Sequence, residues 1–254
     1  MDSLSDLDRI EDLPVWKEVN RRNANHSGRT LITVVIPALN EADNLPATLT
    51  PLVTLADVEV IVADGGSIDD TCGVAQRYGA RVACSAPGRG RQMNAGAAQA
   101  SGEMLVFLHA DTRLPDDFDK HVREILLQPG IAAGAFRLKI DGSSRAMRCV
   151  EWGANMRSRW LDLPFGDQAY FVSQEVFRQV GGFHEMPILE DVEFIRRLRY
   201  YGRIVIASAT VVTSARRWQR LGVVKTTWRN VMILSAYFAG VSPFRLARWY
   251  QSTR

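Results

Sequence analysis

Four short apolar runs stand between residues 31 and 108: Leu31–Ile36, Val58–Ala63, Arg81–Cys84 and Met104–Leu108. The first is continuous and β-branched and is stopped by Pro37, which is how a strand buried on both faces reads. Helical spacing separates the runs. Asn44–Thr54 carries Leu45, Leu49, Leu52 and Val53, with Pro46 tolerable in a first turn, and Thr71–Tyr78 and the Ala-rich Gln92–Ala100 follow the next two runs. Strand and helix alternating in this way predict an α/β fold with a mostly parallel central sheet, right-handed crossovers and flanking helices.

After residue 130 the pattern loosens. Ala132–Ile140 reads as an antiparallel strand, Arg145–Trp160 as a helix, Ala169–Val172 as a strand and Glu175–Val180 as a short helix closed by Gly181-Gly182. Asp191–Tyr201 reads as a helix, Ile204–Ala207 and Val211-Val212 as two strands, and Val223–Tyr250 as one or two amphipathic helices. The expected organisation is a polar extension over residues 1–29 with a short helix near Leu13–Asn20, one domain over 30–222, and a C-terminal helical section over 223–254. The domain divides into a first half, 30–115, and a second half, 130–222.

The 254 residues carry a formal charge of +3, too diffuse to suggest a nucleic-acid partner but suited to phosphate-bearing small molecules or an anionic surface. Three cysteines, Cys72, Cys84 and Cys149, have no metal-ligand spacing and suggest a reducing compartment. The start, Met-Asp-Ser-Leu-Ser-Asp-Leu-Asp, is acidic where a signal peptide is basic. The longest apolar stretch, Val231–Val241, falls short of the roughly 20 residues of a membrane span. The expected setting is cytoplasmic.

The chemistry-bearing residues stand at strand ends. The first strand delivers Pro37-Ala38-Leu39-Asn40-Glu41, the second Asp64-Gly65-Gly66-Ser67, and the fourth His109-Ala110-Asp111. Parallel strands would set these carboxylates on one rim of the sheet, where open α/β folds bind ligands. Clustered carboxylates repel unless a cation or a hydrogen-bond donor is shared among them. Read alone, Asp111 is either a ligand for Mg²⁺ or Mn²⁺ or the cap of a following helix, and Asp69 and Asp70 read as caps. Glu190 and Asp191 open a helix, where acids also stabilise the dipole.

The strings VVIPALNEADNL (34–45), VIVADGGSIDDT (60–71), GRGRQMNAGAAQASGEMLVFLHADT (88–112), GDQAYFVSQEVFRQVGGF (166–183) and ILEDVEFIRRLRYYG (188–202) resemble family 2 glycosyltransferases of the GT-A fold. The resemblance spans about residues 31–207. It implies that Pro37, Ala38 and Glu41 contact the uridine and ribose, and that Asp64 hydrogen-bonds the uracil. Gly66, with Gly65, would allow close backbone approach, and Arg91 and Asn94 would reach the nucleotide and its phosphates. His109-Ala110-Asp111 is similar to the family's Asp-x-Asp motif with its first acid replaced: Asp111 matches the metal-coordinating residue, and His109 and Ala110 stand beside the nucleotide sugar. Glu190-Asp191 matches the Glu-Asp motif, whose Asp is the general base. Asp167 and Gln168 match an acceptor-side loop. Ser214-Ala215-Arg216-Arg217-Trp218 falls where processive members carry Gln-x-x-Arg-Trp. Arg217 and Trp218 would then lie at the diphosphate, a solvated basic turn being the alternative, while Ser214 in the Gln position argues against a processive synthase.

The resemblance thus implies an inverting, non-processive, metal-dependent glycosyltransferase that takes a nucleotide sugar, a UDP-sugar first, and an acceptor that is a small molecule or lipid-linked. FLHADT, FGDQ and SARRW are similar to a small bacterial subgroup labelled arsenosugar-biosynthesis type. Two other classes stay open: a non-catalytic sugar-nucleotide-binding protein, kept alive by His109, and a sugar-phosphate nucleotidylyltransferase, which would place a Gly-rich basic loop after strand one. For 223–254 the alternatives are packing on the core, a homodimer contact, or peripheral contact with the inner face of a membrane.

Overall fold

The computed structural model describes residues 30–252, apart from the side chains of Arg217, Gln251 and Ser252. The extension and short helix expected over 1–29 lie outside the described residues. The first half of the fold holds β1 (Ile32–Ala38), α1 (Leu45–Leu49), β2 (Val58–Asp64), α2 (Thr71–Arg77), β3 (Arg81–Cys84), α3 (Arg89–Ala98) and β4 (Met104–Phe107). Here β3, β2, β1 and β4 lie side by side in that order, all parallel. Pairing of Ala38 with Asp64 at the ends of β1 and β2 sets the loops after both strands on the same edge.

The unbroken apolar runs follow from burial on both faces. Val34, Ile36 and Val106 join one core cluster with Leu45, Leu49 and Val74 of α1 and α2. Val35, Leu105 and Phe107, one residue out of phase, join the other with Met93 and Ala97 of α3. Helix α3 lies so close to the sheet that a Cβ on Gly96 would collide with Val35.

The second half comprises β5 (Thr112–Arg113), α4 (Phe118–Leu126), β6 (Ile131–Asp141), α5 (Arg145–Leu161), a 3-10 turn (Gly166–Gln168), β7 (Phe171–Ser173), α6 (Gln174–Val180), α7 (Glu190–Leu198) and β8 (Arg203–Ser214). Helices α8 (Arg216–Leu221), α9 (Val223–Phe238) and α10 (Pro243–Ser252) complete it. The eight strands form one mixed sheet, β3-β2-β1-β4-β7-β6-β8-β5. Strand β7 is antiparallel to β4 and β6, so the sheet changes direction next to β4, beside the loop that carries Asp111.

Three expectations need correction. The two strands read at 204–207 and 211–212 are one strand, β8: Ser208-Ala209-Thr210 interrupts the apolar pattern, but pairing to β6, with register shifts in the ladder, keeps the backbone extended. Strand β6, expected to be antiparallel, is so only to β7 and runs parallel to β8. Helix α4 was not anticipated, although Phe118, Val122, Ile125 and Leu126 have helical spacing and are all buried.

Candidate active site

The rim is built from β1, β2 and β4. The buried side-chain amide of Gln92, on α3, donates to the carbonyls of Ala38 (2.7 Å) and Ala63 (2.9 Å), locking the ends of β1 and β2 together. Ala38 also accepts from the Gly65 amide at 3.0 Å. Asp64 folds the loop after β2 upon itself, its carboxylate accepting from the amides of Gly66 (2.9 Å) and Ser67 (3.1 Å) and from the Ser67 hydroxyl. Burial works to raise its pKa, but the Ser67 and Gly66 donors outweigh it and hold the group below the usual carboxylate range. Gly66 takes φ +91°, a conformation open to glycine at little cost. Asp69 accepts from the Thr71 amide at the start of α2 (3.0 Å) and from Ala42 across the rim (3.2 Å), so it caps the helix and ties the two loops together; Asp70 instead pairs with Arg77 at 2.7 Å.

Beyond β4, the Thr48 hydroxyl fixes the loop by donating to the Ala110 carbonyl at 2.7 Å. The short β5 then pairs with the end of β8, and the Ser214 amide donates to the Asp111 carbonyl at 3.0 Å. That pairing brings the first turn of α8 to the rim, and with it Arg216. Its guanidinium donates to both oxygens of Glu41 (3.3 and 3.2 Å) and lies 3.7 Å from Asp111 Oδ2. Burial and the charge of Glu41 push the Asp111 carboxyl up, against the opposing pull of Arg216 and Arg89.

Asp191 comes to the same rim on α7. Its Oδ2 accepts from the Gly166 amide and its Oδ1 from the Val192 amide, both at 2.8 Å. A Cβ on Gly166 would stand 2.8 Å from His109 Nε2 and 3.3 Å from Asp191 Oδ2, so His109 and Asp191 flank the same small residue. Glu190 is buried and pairs with Arg89 of α3 at 3.4 Å; burial raises its pKa, Arg89 opposes, and Asp191 adds to the rise. Beneath the rim, Phe107 of β4 and Phe194 of α7 share an aromatic cluster with Phe183, the Phe183–Phe194 centroids being 4.2 Å apart, which ties the element bearing Asp191 to the strand that delivers Asp111.

The residues anticipated from sequence therefore divide. Pro37, Ala38, Glu41, Asp64, Gly66, His109, Ala110, Asp111, Glu190 and Asp191 meet along this edge. Arg91 stands beyond it, paired with Glu185 at 2.7 Å. Asn94 is turned to the Phe183 backbone, donating to its carbonyl (2.8 Å) and accepting from its amide (2.9 Å), so its amide secures a loop where a phosphate contact was expected. Gln168 is 0% exposed; it donates to the Phe136 carbonyl and accepts from Ser158 and Phe165, so it holds the turn together and does not reach a sugar hydroxyl. Asp167, on the same turn, sits near Arg157, whose charge it supports. Trp218, expected at the diphosphate, is 8% exposed and packs with Ile140, Met147 and Ala215. The side chain of Arg217 lies outside those described.

Gln92, Arg89 and Arg216 were missed. Gln92 and Arg89 lie inside the GRGRQMN string without a distinguishing pattern of their own. Arg216 is adjacent to the expected Arg217, and only the start of α8 sets Arg216 against the carboxylates.

Residues 33–184 match Glycosyl transferase family 2. An uncharacterized glycosyltransferase of Mycobacterium tuberculosis (strain H37Rv) is 38% identical over 96 residues, 37% of this chain and 43% of the relative. Glucosyl-3-phosphoglycerate synthase of the same organism is 36% identical over 117 residues, 41% of this chain and 36% of the relative. The chain thus spans less than half the length of these curated relatives. Among solved structures, S. aureus TarS in complex with UDP-GlcNAc superposes with a TM-score of 0.57 at 18% identity, over 72% of this chain and 58% of that one. The mycobacterial synthase in complex with Mn²⁺, UDP and phosphoglyceric acid gives 0.52 at 23% identity, over 78% and 72%. Both show the same GT-A type α/β fold, with a central mixed sheet and flanking helices. The match over 33–184 covers more than half of the chain, which belongs to glycosyl transferase family 2.

Proposed function

We propose that this chain is an inverting, non-processive glycosyltransferase that moves a sugar from a nucleotide sugar, a UDP-sugar first, to an acceptor hydroxyl by direct displacement. The observation that carries the reading is the convergence of Asp64, Asp111 and Asp191, from three separate elements, on one edge of the sheet beside Arg216. Relatives of the family support it: TarS is solved with UDP-GlcNAc, and glucosyl-3-phosphoglycerate synthase with UDP and Mn²⁺.

Asp191 is suited to the proton. Two backbone amides hold the carboxylate, each oxygen keeps a further lone pair for an incoming hydroxyl, and a carboxylate within about 3 Å can accept the proton as the new bond forms. Glu190, buried against Arg89, positions the turn that presents Asp191. Asp64 and Glu41 belong to the nucleotide side of the rim. Asp167, Arg91 and Arg217 are assigned by family position to the acceptor and phosphate contacts.

Among the described residues no three His, Cys, Asp or Glu side chains gather as a self-sufficient metal site. Asp111, a partly exposed carboxylate whose neighbour Glu41 adds negative charge, fits an ion that draws its other ligands from diphosphate oxygens and water. Asp111 would hold Mn²⁺ or Mg²⁺ there, and the bound ion would supply Lewis-acid stabilisation of the departing diphosphate. Arg216 provides a fixed cation at the same place. The SARRW segment that delivers it, with FLHADT and FGDQ, supports assignment to the small bacterial subgroup labelled arsenosugar-biosynthesis type.

Calorimetry of UDP binding with and without Mn²⁺ tests the reading. The wild type should bind more tightly with the ion and Asp111→Ala should lose that increment; equal metal dependence in the variant would remove Asp111 from the role.

A further inference from the structure

Helix α9 is apolar on both its inward and its outward face. On a surface helix the apolar stripe faces the core and the polar one faces water. Here the inward face buries Ile233 together with Thr226 and Arg229, and Leu234 and Tyr237 pack against the core; Arg229, at 5% exposure, holds its guanidinium 3.9 Å from the centroid of the Tyr250 ring. The face turned outward carries Val224, Trp228, Val231, Met232 and Phe238, with Val224 80% and Trp228 60% exposed. These residues recur at helical spacing on one side of the helix, with the exposed Ser235 among them. Helix α5, against which α9 packs, also exposes Trp152 and Trp160. Isolated exposed apolar residues need no explanation, but a contiguous aromatic stripe marks an interaction surface.

Charge selects the partner. Residues 194–254 contain twelve Arg or Lys and no Asp or Glu. Lys225 lies among the exposed apolar residues of α9, and Arg220, Arg245 and Arg248 are exposed on the helices either side of it. A second copy docking through the same face would set these cations against their own counterparts with no acid to compensate. None of the described helices is long and apolar enough to cross a bilayer. An exposed Trp/Phe/Val stripe flanked by cations suits a helix lying in the interface of an anionic membrane.

We infer that the outward face of α9, with the cations around it, docks this chain on an anionic lipid bilayer. The geometry then places the catalytic rim at the membrane surface. Helix α8, which delivers Arg216 to Asp111, runs directly into α9. Phe244 of α10 is exposed and lines a groove of about 230 Å³ with Gly90, Arg91, Met186 and Pro187, next to Glu190 at the start of α7. The inference stands apart from the transfer reading, because docking needs no turnover.

Flotation of the full chain with phosphatidylcholine vesicles, with and without phosphatidylglycerol, tests it. The chain should float with the anionic vesicles, less so as salt rises, and stay behind with neutral ones. Trp228→Ser combined with Phe238→Ser should abolish flotation while leaving the thermal unfolding midpoint in place, since both side chains are exposed. Lys225→Gln and Arg248→Gln should each weaken partitioning by about fivefold. Equal binding to neutral vesicles, flotation that survives the Trp228/Phe238 pair, or no flotation at all would overturn the proposal. So would a dimer in light scattering that the same pair turns into a monomer, because the face would then belong to a second copy.

Discussion

At the scale of single residues, the site rests on a few polar side chains whose partners are fixed by backbone groups, and this separates chemistry from support. Asp191 is held by two amides and keeps lone pairs to spare, whereas Gln168 and Asn94 use their amides on the protein itself. Asp191→Asn should therefore leave UDP affinity unchanged and slow transfer by about 10²- to 10⁴-fold, the usual contribution of a general base; turnover near the wild-type rate in a steady-state assay would remove Asp191 from that role. Arg216 forms an ion pair with Asp111 Oδ2 at 3.7 Å, and a hydrogen bond from its guanidinium to a bound diphosphate would contribute about 1.5–3 kcal/mol. Arg216→Gln should weaken UDP binding by about 10- to 100-fold in calorimetry, whereas an unchanged affinity would make Arg216 only a partner of Glu41. From sequence alone the acids were legible, because they follow apolar runs directly. Arg216 was not, since a run of two arginines does not say that the first turn of α8 aims Arg216 at the rim.

At the scale of elements, the rim depends on clamps at both ends of β1 and β2. Gln92 ties the site end. At the far end Glu59 accepts from the Thr33 hydroxyl (2.6 Å), the Ser101 amide (2.9 Å) and Arg81, joining β1, β2, β3 and the turn after α3. Burial works to raise the Glu59 pKa, but the donors from Thr33, Ser101 and Arg81 prevail and hold it below the ordinary value of 4.5. A carboxylate with a depressed folded-state pKa contributes stability above its unfolded pKa and loses it as pH falls through the folded one. Glu59→Gln should accordingly cost about 1–3 kcal/mol at neutral pH, and the gap from wild type should close as pH drops through and below the carboxylate range, followed by urea unfolding at a series of pH values. A gap independent of pH would mean that the loss is one of packing. The strands and helices of the first half were legible because burial on both faces leaves unbroken apolar runs. In the second half β8 read as two strands because its continuity lies in ladder bonds to β6 and β5, which the Ser208-Ala209-Thr210 interruption conceals.

For the whole molecule, the nucleotide half, the Glu190-Asp191 helix and the SARRW turn come from three distant stretches, and a ligand that touches all of them should stabilise the native state as a unit. UDP with Mn²⁺ at about 100 times its dissociation constant should add about 2.7 kcal/mol, seen as a raised unfolding midpoint, and Asp111→Ala should lose the Mn²⁺-dependent part. A midpoint that does not move with UDP would overturn the nucleotide reading. The sequence by itself determined the α/β class, the parallel half of the sheet and the acids at its rim, because apolar periodicity and strand-end residues are local signals. Only the tertiary structure decided that Arg216 is a residue at Asp111, that Gln168, Asn94 and Trp218 serve as supports, and that α9 leaves a second apolar face turned outward. Each of those depends on which surfaces meet across the fold, and a helical pattern of apolar residues reads the same whether its stripe faces the core or the solvent.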